Sequence, residues 1–258
     1  MRQIELLKLG ENVLKKENIQ DSHIKASTLL QYVLKQTKQE LIINSKEIVE
    51  PSKINKYNNY LQKIIKGTPI QYITKHQQFM ALDFYVDENV LIPQPDTEVL
   101  VEEGIKIIKE QNMEVLDLCT GSGAIAIEFL SRGAEKAYLC EKNPTAVKMI
   151  YNNLEKTKMQ DKSVVMLKDY KKALELLKQQ NLQFDFVYID PPYQANISVD
   201  SVERILSLNL LKEKGNIIIE TDDEKRELLE LEKINIEVTD IRKYGRVSLI
   251  FLAKSATE

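Results

Sequence analysis

The chain has 258 residues, 43% of them apolar and 29% charged, and its formal net charge at pH 7 is −3. This length suits one α/β domain with a smaller appended domain. The weak negative charge excludes binding of a polyanion by bulk electrostatics alone, but it does not exclude a local basic surface. Charges interrupt the first 16 residues and no apolar run is long enough to cross a membrane, which predicts a cytoplasmic protein without membrane contact. Two cysteines and two histidines are too few and too scattered for a zinc site, so we expect no metal.

Residues 1–68 are predicted to form a small helical domain, because apolar side chains recur at helical spacing in three successive stretches. Residues 69–94 change character. The sequence QFMALDFYVDENVLIP alternates between apolar and polar residues, and Asp87-Glu88-Asn89 is a predicted turn. This pattern predicts a β-hairpin that links two domains. The following segment PQPDTEVLVEEGIKIIKE begins a further helix, and residues 95–258 make up the larger predicted domain.

From residue 113 onward, strand and helix patterns alternate. Strands are predicted at 113–118, 136–141, 163–167, 184–190, 215–220, 234–240 and 247–253, and helices at 122–132, 143–157, 169–180, 198–208 and 223–230. This alternation is typical of an α/β fold with a mostly parallel sheet that helices cover on both faces. The last two strands are joined by a short turn, so we expect them to be antiparallel.

A glycine-rich turn follows the first strand of this larger domain, in the sequence VLDLCTGSGAIAI. Gly121 and Gly123 stand where the strand becomes a helix, and Thr120 and Ser122 complete the turn. Glycine lets the backbone approach a ligand closely, and the first turn of a helix has free N–H groups. Many nucleotide-binding folds contain such a turn, so by itself it is weak support for a cofactor site.

Carboxylates around the turn strengthen this interpretation. Asp117 precedes the glycines, Glu141 ends the next strand about 20 residues later, as a carboxylate that binds ribose hydroxyls would, and Asp169 and Tyr170 follow the third strand, where they could meet an adenine. Asp117 could instead cap a helix, and Glu141 could be a solvated strand end. The joint spacing favours a nucleoside cofactor.

The stretch FDFVYIDPPYQ places Asp190, Pro191, Pro192 and Tyr193 directly after the fourth strand. In an open α/β sheet, ligands bind beyond the carboxyl ends of the strands, so these residues should face the crevice of the glycine turn. The prolines fix the backbone and cannot donate hydrogen bonds. Acceptors beside an aromatic ring suit a planar nitrogen, whose N–H bonds they can orient for attack on an electrophile. The alternative is a proline-rich loop that only caps a strand.

Together, the glycine turn with its carboxylates and the DPPY motif resemble the class I S-adenosylmethionine (SAM) methyltransferases. The resemblance implies a Rossmann-like, seven-stranded sheet with SAM as the cofactor. It also implies that Asp117 lies near the amino-acid end of SAM and that Glu141 binds its ribose. Motifs of the form [DNS]-PPY are typical of members that methylate planar nitrogens.

Residues from about 4 to 126 resemble the release factor glutamine N5-methyltransferases, on the motifs GTPIQYI, LIPQPDTEVLVEE and VLDLCTGSGAIAI. The resemblance implies that the helical domain and the hairpin help to grip a release factor, and that Thr97 lies close to the methionine portion of the cofactor. This sequence departs from the family at Gln94, where the family usually has arginine.

Residues from about 121 to 254 instead resemble the small-subunit ribosomal RNA guanine-N2 methyltransferases, on GSGAIAIEFLSRGA, FDFVYIDPPY, LLKEKGNIIIE and IRKYGRVSLIF. The basic N-terminal strand region of that family, which helps to hold RNA, is missing. Arg242, Lys243 and Arg246 are the basic residues near the C-terminal strands. The chain therefore resembles a mosaic with its join near the glycine turn.

The two resemblances predict different acceptors. An asparagine in the first position of the motif could both accept from an amide N–H and donate to the amide carbonyl, whereas an ionised Asp190 could only accept, which favours guanine. The helical domain favours a protein, and on that ground we predict methylation of a release factor glutamine. Methylation of guanine-N2 in 16S rRNA remains the alternative, and so does a mosaic that binds SAM without turning it over.

Overall fold

The computed structural model describes residues 1–107, 112–192 and 197–254. Tyr193, the aromatic residue of the predicted acceptor motif, lies outside the described residues. The chain divides into two compact units, Met1–His76 and Gln77–Glu258. The boundaries predicted at residues 68 and 94 for the functional domains stay predictions.

The first unit is helical, as its apolar spacing predicts. Its helices are α1 (Gln3–Lys16), α2 (Ser22–Leu34), α3 (Lys38–Ile43), α4 (Pro51–Ile65) and α5 (Ile70–Thr74). Thr37 begins α3 with a capping box, in which its hydroxyl accepts from the N–H of Glu40 and the Glu40 carboxylate accepts from the N–H of Thr37. The helices enclose one apolar core that centres on the fully buried Leu29, Tyr57 and Leu61.

A close contact between α1 and α4 depends on a glycine. A Cβ atom on Gly10 would lie 2.0 Å from the Tyr57 hydroxyl oxygen, which donates a hydrogen bond to the Ala26 carbonyl at 3.2 Å. We therefore expect Gly10→Ala to lower the free energy of unfolding of this unit by about 1–3 kcal/mol, as overpacking does. Circular dichroism during thermal unfolding measures the loss, and hydrogen exchange in α1 and α4 locates it.

Asn12→Ala is the matched control for this prediction, because Asn12 is an exposed residue of the same helix. Its effect on stability should stay within about 0.5 kcal/mol. A Gly10→Ala protein as stable as the Asn12→Ala protein would contradict the packing argument.

The second unit contains the α/β part of the chain. Its elements in chain order are β1 (Gln77–Phe79), β2 (Leu82–Phe84), α6 (Pro95–Ile107), β3 (Glu114–Leu118), α7 (Ala124–Ser131), β4 (Lys136–Glu141), α8 (Pro144–Thr157), β5 (Ser163–Leu167), α9 (Tyr170–Gln179), β6 (Phe184–Ile189), α10 (Ser198–Ser207), β7 (Leu211–Thr221), α11 (Glu224–Leu231), β8 (Ile236–Tyr244) and β9 (Val247–Lys254). The predicted alternation of strands and helices is confirmed.

The large sheet has seven strands in the order β5-β4-β3-β6-β7-β9-β8. The strands from β5 to β7 are parallel, and β9 is antiparallel to both β7 and β8. The predicted seven-stranded, mostly parallel sheet with an antiparallel last strand is therefore confirmed. The chain reverses its direction of travel across the sheet between β3 and β6, and this is where open α/β sheets form a crevice at the carboxyl ends of their strands.

The segment predicted as a hairpin linker, residues 69–94, is more varied than its alternating pattern indicated. Helix α5 occupies its first part, beginning after Pro69 and ending at Lys75, which has a left-handed backbone. Only Gln77–Phe79 and Leu82–Phe84 pair as antiparallel strands. Pro69 takes the N-cap position of this helix, with φ −55° and ψ 139°, and the helix precedes the alternating residues. The two strands join at Met80 and Ala81, so the predicted turn at residues 87–89 does not close this hairpin.

Candidate active site

The glycine turn leaves β3 and opens α7 with an unusual backbone. Cys119, Gly121 and Gly123 have φ values of +64°, +56° and +81°, all in the left-handed region that favours glycine. No heavy atom lies within 4 Å of the place where a Cβ atom on Gly121 would stand, and Gly121 lines a cavity. The turn thus offers bare backbone to that cavity.

Asp117 supports the turn from behind. Its side chain is 1% exposed, and its carboxyl accepts hydrogen bonds from the Thr120 hydroxyl at 2.5 Å and from the backbone N–H of Ala126. Burial raises the pKa of Asp117 to about 7, against the effect of these two donors. Asp117 is not among the residues that line the cavity, so its geometry fits a brace for the turn.

Glu141 lies beside the turn at the end of β4. One carboxylate oxygen accepts from the N–H of Gly121 at 3.2 Å, and the other accepts from the N–H of Asn143 at 2.8 Å. This side chain is therefore oriented by two backbone donors and is not a loose strand end. Each carboxylate oxygen can accept a second hydrogen bond, so the group could also hold a hydroxyl of a ligand in the cavity.

Asp169 and Tyr170 lie at the start of α9. Asp169 caps this helix, since its carboxylate accepts from the N–H of Lys171 at 3.0 Å. The Tyr170 hydroxyl donates to Asp200 at 2.6 Å, and Arg204 donates to the same carboxylate oxygen at 2.8 Å. Both residues also line the cavity, so these structural roles leave them within reach of a ligand.

The cavity has a volume of about 790 Å³ and lies at the carboxyl ends of the parallel strands. Ten residues predicted for the site line it: Thr97, Thr120, Gly121, Ser122, Glu141, Asp169, Tyr170, Asp190, Pro191 and Pro192. Gly123, at the start of α7, packs instead toward Leu139 and Ile150. The volume is within the range of pockets that enclose a nucleoside-sized ligand.

The acceptor turn lies next to the glycine turn because β3 and β6 are neighbours in the sheet. Leu118 pairs with Ile189, and the N–H of Asp190 points to the Leu118 carbonyl oxygen with an N···O distance of 3.5 Å. Pro191 is buried and Pro192 is exposed. The two motifs that the sequence separates by about 70 positions therefore meet at one edge of the sheet, as expected for parallel strands.

Burial and nearby acids change the charge state expected for Asp190. The pKa of Asp190 is raised well above its usual value, first by burial and then by the negative charges of Glu220 and Asp117. The prediction of a guanine acceptor requires an ionised Asp190, which can only accept hydrogen bonds. The raised pKa favours the protonated side chain, which can donate as well as accept.

Three further residues contribute to the site without having been predicted. Asn153, which is fully buried in α8, donates to the Ser122 carbonyl at 2.9 Å and exchanges two hydrogen bonds with the backbone of Tyr85, so it fixes the glycine turn. Glu220 and Asp222 line the cavity at the end of β7. A glutamate that ends an apolar strand, as in NIIIE, was the available signal for Glu220, whereas no local pattern marks Asn153.

The basic residues near the C-terminus separate into different environments. Arg242 forms ion pairs with Glu103 at 2.5 Å and with Asp240 at 2.7 Å, and its guanidinium stacks on the Phe251 ring at 5.1 Å. Arg242 is thus engaged within the unit. Arg246 is exposed and lines the cavity, where its charge could contact an anionic group.

Within the described ranges of the chain, no cluster of three or more His, Cys, Asp or Glu side chains is placed to hold a metal ion. The helices in those ranges also include none that is both long enough and apolar enough to span a bilayer.

A class I methyltransferase is defined by three features of this structure: the strand order, the glycine turn and the cavity that this turn shares with the acceptor turn at Asp190. Residues 98–253 match the family model described as Conserved hypothetical protein 95, and residues 5–74 match the model described as PrmC N-terminal domain. The predicted mosaic is thus confirmed, because the two models cover successive parts of the chain, although the second begins at residue 98, upstream of the join predicted near the glycine turn.

Relatives define the family more closely. The release factor glutamine methyltransferase of Clostridium acetobutylicum is 35% identical over 76% of this chain and 67% of its own length. The protein of the same description from Leptospira interrogans is 33% identical over 73% of this chain and 66% of its own. The chain belongs to the release factor glutamine methyltransferase family, and the matched part spans about two thirds of these relatives.

Solved structures agree on the fold. A conserved hypothetical protein of Streptococcus pyogenes is 32% identical, with a TM-score of 0.51 over 57% of this chain and 88% of that protein. The protein SMU.776, crystallised as a complex with SAH, has a TM-score of 0.58 over 81% of this chain and 67% of its own, at 11% identity. At that identity, the likeness shows the fold alone.

Proposed function

We propose that this protein transfers a methyl group from SAM to the side-chain nitrogen of a glutamine in a peptide chain release factor, in the cytoplasm. The proposal rests on one observation. This chain matches a release factor glutamine methyltransferase over 76% of its length, and its N-terminal residues also match the PrmC N-terminal domain. The helical unit is then the part that recognises the protein substrate.

The cavity fits SAM in its dimensions and donor groups. Bare backbone at Gly121 and the free N–H groups of the turn suit the methionine portion, together with Thr97. Glu141, oriented by two backbone donors, would hold the ribose hydroxyls, and Asp169 and Tyr170 would meet the adenine. When bound, SAM supplies an electrophilic methyl group on a cationic sulfur, and an acidic cavity favours that charge.

The residues of the acceptor turn would orient the glutamine amide. An amide nitrogen is a weak nucleophile because its lone pair is delocalised into the carbonyl. Asp190 and the carbonyl oxygens of the rigid Pro191-Pro192 turn would align the N–H bonds, so that the lone pair faces the methyl group. As the new N–C bond forms, the bond between the methyl group and sulfur would break to leave SAH, and the nitrogen would release one proton to solvent. This mechanism acts through positioning and electrostatics and needs no covalent intermediate.

A second candidate is methylation of guanine-N2 in small-subunit rRNA. It is favoured by Asp190 in the first position of the motif and by the match of residues 98–253 to a different family model from that of the N-terminal domain. The exposed Arg246 at the cavity would then contact RNA phosphates. The weak negative charge of the chain and the helical unit rank this candidate below the first.

Incubation with SAM labelled in its methyl group tests the proposal directly. One reaction contains a purified release factor, and a second contains bare small ribosomal subunits. We expect label in the release factor, and mass spectrometry should place one added methyl group on a glutamine. A release factor in which that glutamine is replaced by alanine is the control and should take up no label.

Two outcomes would overturn the proposal. Label in rRNA alone would establish the second candidate. Label in neither substrate, with SAH binding intact by calorimetry, would mean that the mosaic binds the cofactor without transferring its methyl group.

A further inference from the structure

Four polar side chains gather on one face of the sheet at the carboxyl ends of β3, β6 and β7. Asp117 pairs in register with Tyr188, and Ile189 pairs with Ile219, so Asp190 and Glu220 are the next neighbours across β6 and β7. Side chains alternate between the two faces of a strand. Asp117, Tyr188, Asp190 and Glu220 therefore point to the same side of the sheet, and of these four Asp190 and Glu220 line the cavity.

Glu220 is buried in this cluster as a hydrogen-bond acceptor. It is 7% exposed, and the Tyr188 hydroxyl donates to its carboxylate at 2.5 Å. Tyr188 is fully buried, and its own pKa is raised by burial and by Glu220, so it stays a donor. A negative charge on Glu220, on the neighbouring strand, makes a second negative charge at Asp190 costly.

A neutral carboxylic acid resembles a primary amide in its hydrogen bonding. In both, one planar carbon carries a group that donates a hydrogen bond and a carbonyl oxygen that accepts one. An ionised carboxylate has only acceptors. Only the neutral acid can accept from the N–H of a glutamine side chain and also donate to its carbonyl oxygen.

We propose that Glu220, oriented by Tyr188, keeps Asp190 in its neutral form, so that Asp190 recognises a carboxamide as an asparagine would. Glu220 is then a positioning residue, and Asp190 is the specificity-determining one. The inference rests on the proposed glutamine methylation and explains how a motif that begins with aspartate serves it.

Other charged groups line the cavity or lie next to it, and they contribute to the electrostatic environment of Asp190. The acidic residues that line the cavity beside Asp190 are Glu141, Asp169, Glu220 and Asp222, and the basic ones are Lys142, Lys168 and Arg246. Asp117 lies behind the glycine turn and also acts on Asp190. Of these, Glu220 has the largest effect on the pKa of Asp190 after burial, followed by Asp117.

Infrared difference spectra of the full-length protein without substrate test the protonation state independently of turnover. At neutral pH we expect a protonated carboxyl band that is absent from Asp190→Asn. As pH rises through the raised pKa of Asp190, this band should disappear. In Glu220→Gln, which keeps an acceptor for Tyr188, the band should disappear at lower pH. Glu155→Gln, an exposed site on α8, should leave the titration unchanged.

Kinetics with a release factor test the donor role. A neutral Asp190 predicts that kcat/KM falls as pH rises, because ionisation removes the donor. This falling limb should move to lower pH in Glu220→Gln and vanish in Asp190→Asn, which should exceed the unaltered protein at alkaline pH. A sulfonium cation bound near Asp190 would favour ionisation of its carboxyl. The fall in kcat/KM should therefore be centred at a lower pH than the midpoint of the infrared titration.

The outcomes separate this inference from the proposed function. A missing Asp190 band, or a titration that Glu220→Gln does not shift, would overturn the inference even if release factor is methylated. A rate that rises with pH and is lost in Asp190→Asn would also overturn it. The expected infrared result without transfer to release factor would sustain the neutral Asp190 and refute glutamine as its partner.

Discussion

Replacement of Asp190 by alanine is expected to lower kcat for methyl transfer by about 10²–10³-fold, the loss typical of removing one preorganised hydrogen-bonding group from an active site. Affinity for SAH should change little, because the hydrogen bonds that orient Glu141 and the turn at Gly121 do not involve Asp190. Single-turnover transfer of labelled methyl measures the first quantity, and calorimetry with SAH measures the second.

Asp161→Ala is a suitable control for this variant, since Asp161 is an exposed aspartate of the same unit. It should leave both quantities as they are. If Asp190→Ala lost SAH binding together with transfer, Asp190 would belong to the cofactor half of the site, and the assignment to the acceptor half would be wrong.

Replacement of Gly121 by leucine should weaken SAH binding by at least about 100-fold. Inserting a side chain where the ligand must pack removes several contacts at once, and each factor of ten corresponds to about 1.4 kcal/mol. The protein itself has room for the new side chain, because nothing lies within 4 Å of its Cβ position. The expected cost to folding is therefore mainly the left-handed backbone at φ +56°, roughly 1–2 kcal/mol.

Gly67 provides the matched control for this prediction. It has a φ of +89°, an equally open Cβ position and a place in the other compact unit. Gly67→Leu should lower thermal stability to a similar degree and leave SAH affinity intact. Unchanged affinity in Gly121→Leu would show that the cofactor does not approach the turn from its open side.

The α/β architecture was predictable because each of its signals is local. Strands such as Phe184–Ile189 are largely apolar on both faces, as strands of a helix-covered sheet are, and helices such as α8 and α9 bury one face. The meeting of Asp190 with Gly121 was also predictable, because the carboxyl ends of parallel strands share one edge. Neither inference required knowledge of which side chains touch.

The charge state of Asp190 could not be predicted in the same way. It depends on the register that sets Glu220 beside Asp190 and on burial by the whole sheet, and both are tertiary properties. The bracing of Ser122 by Asn153 likewise joins residues 31 positions apart through a single buried side chain. The local sequence of Asp190 therefore favoured a guanine acceptor, whereas its surroundings favour the neutral side chain on which the proposed recognition of a carboxamide depends.

The place of β9 in the sheet has a consequence for how this chain is made. Among the sheet strands, β9 leaves the ribosome last, yet it lies between β7 and β8 and pairs with both. Until it emerges, the apolar edge of β7 is an open template for pairing with other nascent chains. Charged Lys212, Glu213 and Lys214 lie at the start of that strand, where gatekeeper residues oppose aggregation during synthesis.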